Sequence, residues 1–227
     1  ITNACNLKCV HCRACPDTQS SPEDLTTSEG KALLDQISSF ATPAVVLSGG
    51  EPLTRSDVFD IATYGTSKGL RMLLATNGTL ISSEIAQDIK HTGIRRVAIS
   101  IDGANASTHD LFRRIDGAFQ SAWNGIECLK SVGVPFQLNT SVSKYNINEI
   151  PDILDLAIKS GAVALHLFLL VPTGCGKEIA EDEMISSLEY EEILNWLYDR
   201  SIDSPIHLKA TCAPHYYRIM RQRAKVG

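Results

Sequence analysis

The chain has 227 residues, of which 44% are hydrophobic and 21% charged, and it carries a net charge of −5. Those values describe one globular domain or slightly more, large enough for a sizeable core, and exclude a disordered or collagen-like chain. The acidic balance argues against a nucleic-acid surface, and no apolar run is long enough to span a bilayer; the longest, 162–172, is interrupted by His166.

A first strand is expected to run from Ile1 into Cys5. It feeds a loop, CNLKCVHC, in which Cys5, Cys9 and Cys12 stand in a C-x3-C-x2-C spacing. Three thiolates on one short loop suit three irons of a [4Fe–4S] cluster and leave the fourth iron open to a small molecule. A purely electron-carrying cluster normally takes four cysteines. A zinc site or reduced structural thiols are the other readings. Zinc usually takes four ligands, and His11, between two of the cysteines, is expected to point away from a shared metal. Cys15 makes a second C-x2-C with Cys12 and reads as accessory. Cys128, Cys175 and Cys212 are scattered, which fits a reducing cytoplasm rather than a secreted disulfide framework.

Beyond the loop, strands are expected at Ala44–Leu47, 70–75, 97–101, Phe136–Val142 and 164–170, each near-continuously apolar as if covered on both faces. Helices are expected at Thr27–Phe40, 57–68, 82–91, 119–132, Ile150–Ser160 and 188–200. Gly69, Gly93, Gly133 and Gly161 each end a helix and precede a strand, where a left-handed cap turns the chain back. Six strand–helix units punctuated this way predict an α/β fold, a partial (β/α)6 barrel of the TIM type with a parallel sheet. In such barrels the reactive loops follow the C-terminal ends of the strands.

The polar motifs fall at those ends. Ser48-Gly49-Gly50-Glu51-Pro52 offers two glycines that let backbone approach a ligand and a carboxylate that accepts from an ammonium group. Thr76-Asn77-Gly78 is a turn that is equally structural. Ser100-Ile101-Asp102-Gly103 places a hydroxyl and a carboxylate where ribose hydroxyls would suit them. Asn139 and Ser141 lie in QLNTSV, and the sixth strand ends in Val171-Pro172-Thr173-Gly174. Each motif is weak alone, and an isolated GGEP is usually just a turn. Their order along the chain is specific.

With CxxxCxxC, GGEP and SxDG in this order, the chain resembles the radical SAM enzymes from Ile1 to about Arg200. The resemblance implies that S-adenosylmethionine binds the open iron and is cleaved to a 5′-deoxyadenosyl radical that abstracts hydrogen from unactivated carbon. It further implies Cys5, Cys9 and Cys12 as cluster ligands. Gly49, Gly50 and Glu51 would meet the methionyl ammonium. Ser100 and Asp102 would lie near the ribose, Asn139 at the ribose or carboxylate, and the Val171 backbone at the adenine.

The segment HDLFR (residues 109–113), with Gly117 and Phe119, resembles the subgroup that carries a C-terminal auxiliary-cluster domain of the SPASM or twitch type. CVHCRA, LVPTGCGKEI (170–179) and KATCAPHYYRIMRQR (209–223) resemble the haem-synthase branch of alternative haem biosynthesis. That likeness implies oxidative decarboxylation of two propionates of iron-coproporphyrin III to the vinyl groups of haem b. The alternatives are a sibling of the siroheme and haem d1 branches and a peptide-modifying maturase; a non-catalytic iron–sulfur carrier ranks far behind. It implies Cys212 as the first ligand of an auxiliary [4Fe–4S] cluster, and a small reductant such as flavodoxin or ferredoxin as partner. Residues 1–204 would form the barrel, and 205–227 the start of the auxiliary region. The chain begins at the cysteine loop and ends without a stop signal, so it is expected to be part of a longer cytoplasmic protein.

A porphyrin with four propionates is strongly anionic. Arg113, Arg114 and Lys177, with Arg218, Arg221 and Arg223 in the tail, are candidate carboxylate clamps; a solvated basic face is the plainer alternative. Cys128 reads as an inert buried thiol. Cys175 is equally a site or a turn residue, His166 projects into the barrel or fills the core, and 215–218 is a helix face or a substrate wall.

Overall fold

The computed structural model describes residues 1–15, 19–177 and 179–225. Glu178, inside the 170–179 segment, and the last two residues of the 205–227 region lie outside the described residues. The elements run α1 (Thr27–Phe40), β1 (Ala44–Leu47), α2 (Val58–Ser67), β2 (Arg71–Thr76), α3 (Ser83–His91), β3 (Val97–Ser100), α4 (Ala106–Arg113), α5 (Ala118–Val132), β4 (Phe136–Val142), α6 (Ile150–Ser160), β5 (Ala164–Leu169), α7 (Ala180–Glu183), α8 (Ser187–Asp203), β6 (His207–Thr211) and α9 (Tyr216–Arg223). The six strands form one parallel sheet in chain order, β1 to β6, and so a half-barrel.

The strand count matches the sequence reading, but the strands are not the same six. Residues 1–5 form no strand of the sheet. Instead the Gly50 N–H donates to the Thr2 carbonyl and the Glu51 N–H to the Ala4 carbonyl, beyond the end of β1. The sixth strand is His207–Thr211, which pairs with β5 from Ala164↔His207 to Phe168↔Thr211. The sequence boundary at 204 therefore falls just before a strand of the main sheet. β6 escaped notice because it buries one face only: Leu208 packs inward while His207 and Lys209 are exposed. A search for continuous apolar runs cannot see such a strand.

The same asymmetry runs across the sheet. Leu47, Met72, Leu74, Val97, Ile99, Leu138, Leu165 and Leu167 point to the helices and pack with Leu34, Ile61, Ile89, Ile126, Leu129, Ile153, Leu194 and Leu197. Each such burial contributes roughly 1.5–3 kcal/mol. Among the described residues no helix covers the inner face of the half-barrel, contrary to the expectation that both faces are buried. Val46, on that face, is 51% exposed. The four helix-ending glycines do adopt the left-handed conformation, φ 73° to 85°. Thr26 and Ser186 close capping boxes that start α1 and α8.

Candidate active site

Above the C-terminal ends of the strands lies a cavity of about 570 Å³. Cys5, Cys9 and Cys12 line it together with Gly49, Gly50, Ser100, Asn139, Val171, Cys212 and Arg113. Ala75, Thr76 and Asn77 at the end of β2 line it too, so the cavity gathers residues from the ends of all six strands of the sheet around the cysteine loop; the sequence reading counts a strand before that loop in place of β6. Glu51, Asp102, Arg114, Cys175 and Lys177 do not line the cavity.

The cysteine loop is held from three sides. Its entry lies against the paired glycines: a Cβ on Gly49 would sit 2.3 Å from the Thr2 carbonyl oxygen, and one on Gly50 2.3 Å from that of Ala4. The GG pair therefore admits the segment that delivers Cys5, besides presenting backbone to the cavity. The second side is Thr76-Asn77-Gly78. The Asn77 side-chain amide donates to Asn6 Oδ1 at 2.8 Å, and Asn6 in turn donates to Thr79. The third is α4. The Val10 N–H donates to the Phe112 carbonyl at 3.1 Å, and His11 stacks on the Phe112 ring at 4.2 Å and 20°. His11 thus packs on Phe112, its Nε2 lies 3.8 Å from Asp102 Oδ2, and it lines the same cavity as the three cysteines.

Glu51 is a correction to the sequence reading. It is fully buried and does not reach the cavity. Its carboxylate accepts from Thr76 Oγ1 at 2.7 Å, the Asn77 N–H at 2.8 Å and the Leu53 N–H at 3.0 Å. Burial pushes its pKa up, and these three donors act against that shift. The side chain ties the GGEP turn to the TNG turn, away from the cavity lining.

Asp102 and Arg113 are the second correction. Asp102, expected at a ribose, is completely buried and ion-pairs with Arg113, expected on a propionate. Asp102 Oδ1 also accepts from the Ser141 N–H at 2.7 Å, and the Asp102 N–H donates to His109 Nδ1 at 3.1 Å. Arg113 Nη1 then donates to Cys9 Sγ at 3.5 Å. Burial opposes both charges, yet the pair prevails: Asp102 is held below the usual carboxylate range and Arg113 above its own. Burial raises the Cys9 thiol and Arg113 opposes that rise. A guanidinium against one of three thiols suits an anionic iron–sulfur centre, whose properties respond to hydrogen bonds at its sulfurs.

The remaining basic candidates go elsewhere. Arg114 is exposed at the end of α4, with φ 55°. Lys177 is exposed outside the cavity. Arg218 pairs with Glu191 and Arg223 with Asp199, so both fasten α9 to α8. His215 packs on Tyr190 at 4.6 Å, whereas Tyr217 is 68% exposed, which makes this stretch a helix face. Cys15 and Cys175 are joined in a disulfide. The Cys175 N–H also donates to the Cys12 carbonyl at 2.9 Å, so the loop after β5 fastens the cysteine loop. Cys128 is half-buried, its Sγ 3.8 Å from Ser83 Oγ.

Residues 1–157 match the family model described as the Radical SAM superfamily. This chain belongs to the radical SAM superfamily. Among curated relatives it is 53% identical over 225 residues to "AdoMet-dependent heme synthase" of Methanosarcina barkeri, covering 99% of this chain and 64% of that protein. It is 38% identical to "Fe-coproporphyrin III synthase" of the same organism, over 81% of this chain and 46% of that protein. Among solved structures it resembles Streptococcus suis SuiB bound to S-adenosylmethionine, with a TM-score of 0.75 at 15% identity, covering 92% of this chain and 48% of that one. The chain thus spans about two-thirds or less of these relatives. Membership in the radical SAM superfamily implies a [4Fe–4S] cluster and S-adenosylmethionine as cofactors. No described helix is long and apolar enough to cross a membrane.

Sequence reasoning missed how this radical SAM domain uses His109 and Phe112. Both are buried against the cysteine loop's supports, and both lie in the HDLFR segment. The signal was there, since α4 places residues 109, 112 and 113 on one face at helical spacing.

Proposed function

We propose that this chain is the cofactor-binding part of a haem synthase that oxidatively decarboxylates two propionates of iron-coproporphyrin III to vinyl groups. The likeness to the heme synthases along almost the whole chain carries the reading. The arrangement of the site agrees with it: three thiols face a cavity that opens onto the uncovered inner sheet face.

Cys5, Cys9 and Cys12 would hold the cluster. Gly49 and Gly50 would offer backbone to the methionyl group, Ser100 and Asn139 polar atoms to the ribose or carboxylate, and the Val171 backbone a contact to adenine. Cluster and S-adenosylmethionine together supply a carbon radical able to take hydrogen from an unactivated position. Each propionate then loses one hydrogen atom, CO2 and one electron to become a vinyl group. Arg113 keeps its positive charge beside Cys9, and the His11–Phe112 stack fixes the loop's orientation. Cys212, at the cavity edge, would be the first ligand of an auxiliary [4Fe–4S] cluster able to accept the electron. On this reading the auxiliary region starts after β6, and a flavodoxin or ferredoxin supplies the reducing electron.

The test uses the full-length protein, reconstituted without oxygen and given reductant, S-adenosylmethionine and iron-coproporphyrin III. Mass spectrometry should show successive loss of two formic-acid equivalents with 5′-deoxyadenosine formed. Cleavage of S-adenosylmethionine with the porphyrin unchanged would overturn the haem reading and point to a siroheme-type or peptide substrate.

A further inference from the structure

The inner face of the sheet divides into two chemically distinct halves. On β1 to β3 most inward positions are apolar, namely Ala44, Val46, Leu73, Ala75 and Ala98, the exceptions being Arg71 at the start of β2 and Ser100 at the end of β3; β2 and β3 align Ala75 with Ala98. On β4 to β6 they are mostly polar or basic, with Ala164 and Phe168 on β5 the apolar exceptions. Ser100, Asn139, His166 and Lys209 lie in register on four neighbouring strands, in one row across the sheet. Parallel strands in register point these side chains to the same side. Ser100 and Asn139, at one end of the row, line the cavity of the cysteine loop. The row therefore starts at the cofactor site and leads away from it along the half-barrel.

One level lower, the row is knitted together. Arg96 Nη1 donates to Gln137 Oε1 at 3.2 Å, and Gln137 Nε2 reaches Asn139 Oδ1 at 2.9 Å and His166 Nδ1 at 3.0 Å. His166 meets His207 edge-on at 5.9 Å. Burial, then Lys209, His207 and Arg96, hold the His166 pKa down to about 4, so these basic groups share one electrostatic environment. None of the inward positions named is acidic, although the chain carries 26 Asp and Glu against 21 Lys and Arg. Among the described residues neither Arg96 nor Lys209 forms an ion pair. Positive groups gathered on an open face without counter-ions favour an anionic occupant.

We propose that the inner face of β4 to β6, with Lys209 and Arg96 as its cations, seats the propionate carboxylates of the substrate while the apolar half at β1 and β2 meets the macrocycle. The inference rests on the haem-synthase reading and deepens it. It also moves the carboxylate clamp from Arg113, which the cysteine loop occupies, to a face whose two cations, Arg96 and Lys209, were not among the clamp candidates read from the sequence. Arginine and lysine suit carboxylates, and an apolar wall suits a flat ring.

The experiment titrates full-length protein with iron-coproporphyrin III and with its neutral tetra-amide, following the porphyrin absorption band. Wild type is compared with Lys209→Glu, an exposed position, and with Arg96→Gln. Each variant should bind the tetracarboxylate about tenfold or more weakly, a change of about 1.4 kcal/mol, while its affinity for the tetra-amide stays within about twofold of wild type. Wild-type affinity for the tetracarboxylate in both variants would overturn the inference and leave the haem reading standing. Equal weakening of both porphyrins would overturn it too, because the loss would not depend on carboxylate charge. Wild type that binds neither porphyrin would overturn the haem reading and the inference with it.

Discussion

Arg113 and Arg218 each hold a carboxylate, yet the side chains of Arg113 and Asp102 are 8% and 0% exposed, whereas those of Arg218 and Glu191 are 46% and 42% exposed. The first pair lies beneath the cysteine loop and touches Cys9; the second fastens one surface helix to another. Identical chemistry has different consequences because water competes at one site and is excluded from the other. A buried pair is costly to break, since the surviving charge has no solvent to turn to. An exposed pair exchanges one set of partners for water. Of the arginines marked as candidate propionate clamps, Arg113 thus holds the cysteine loop, whereas Arg218 and Arg223 fasten surface helices.

The largest effect should follow from splitting the buried pair. Arg113→Ala leaves Asp102 charged and buried, and stability should fall by about 3–5 kcal/mol in urea unfolding. The double variant Asp102→Asn/Arg113→Gln, which leaves no charge behind, should lose clearly less. If the two lose equally, the pair is not coupled in the way described.

Next in size is the glycine that admits the loop. Gly50→Ala places a Cβ against the Ala4 carbonyl, and the strain should cost about 1–3 kcal/mol. Because that contact positions Cys5, reconstituted iron content should fall as well. Full iron loading with unchanged stability would show that the N-terminal segment can shift freely.

Acid should sharpen the comparison further. His109 Nδ1 accepts from the Asp102 N–H, which requires that nitrogen to be unprotonated. Burial, then Arg113, lower the His109 pKa from 6.5 to about 4, with Asp102 and Asp110 acting in the opposite direction. Between those values the unfolded chain binds a proton that the folded chain refuses. Stability is therefore fully present above about 6.5 and declines as the pH falls toward about 4. Urea midpoints across that window should drop in wild type and drop less in His109→Gln. The residual slope comes from other histidines shifted the same way, such as His166. At the small end, Arg218→Ala should leave the unfolding midpoint without measurable change, since water replaces its partner.

The sequence reading located the cysteine loop, the glycine caps and five strands of the sheet because each leaves a local mark: fixed spacing, a left-handed turn, a run of apolar residues. The directions of Glu51 and Asp102 leave no such mark. Both sit in motifs at strand ends, and one peptide's rotation decides whether a carboxylate faces a ligand or an interior donor. Here the Asn77 and Ser141 N–H groups draw them inward. β6 was hidden for a related reason, since a strand with one open face mixes polar and apolar residues as a loop does. Lys209 and His166 become neighbours only once β5 and β6 pair, 43 residues apart in the chain.

The central claim is a division of charge, with Arg113 serving the cluster loop and the inner face serving the substrate. The most direct measurement takes the full-length Asp102→Asn/Arg113→Gln variant, reconstituted, and records two quantities on one sample: the reduction potential of the cluster at the cysteine loop, by spectroscopic titration, and the affinity for iron-coproporphyrin III. The account predicts a more negative potential, because the lost guanidinium donates to Cys9 and acts on it more strongly than the carboxylate lost with it, with porphyrin affinity unchanged. An unchanged potential with porphyrin affinity lost would contradict it and return Arg113 to the substrate.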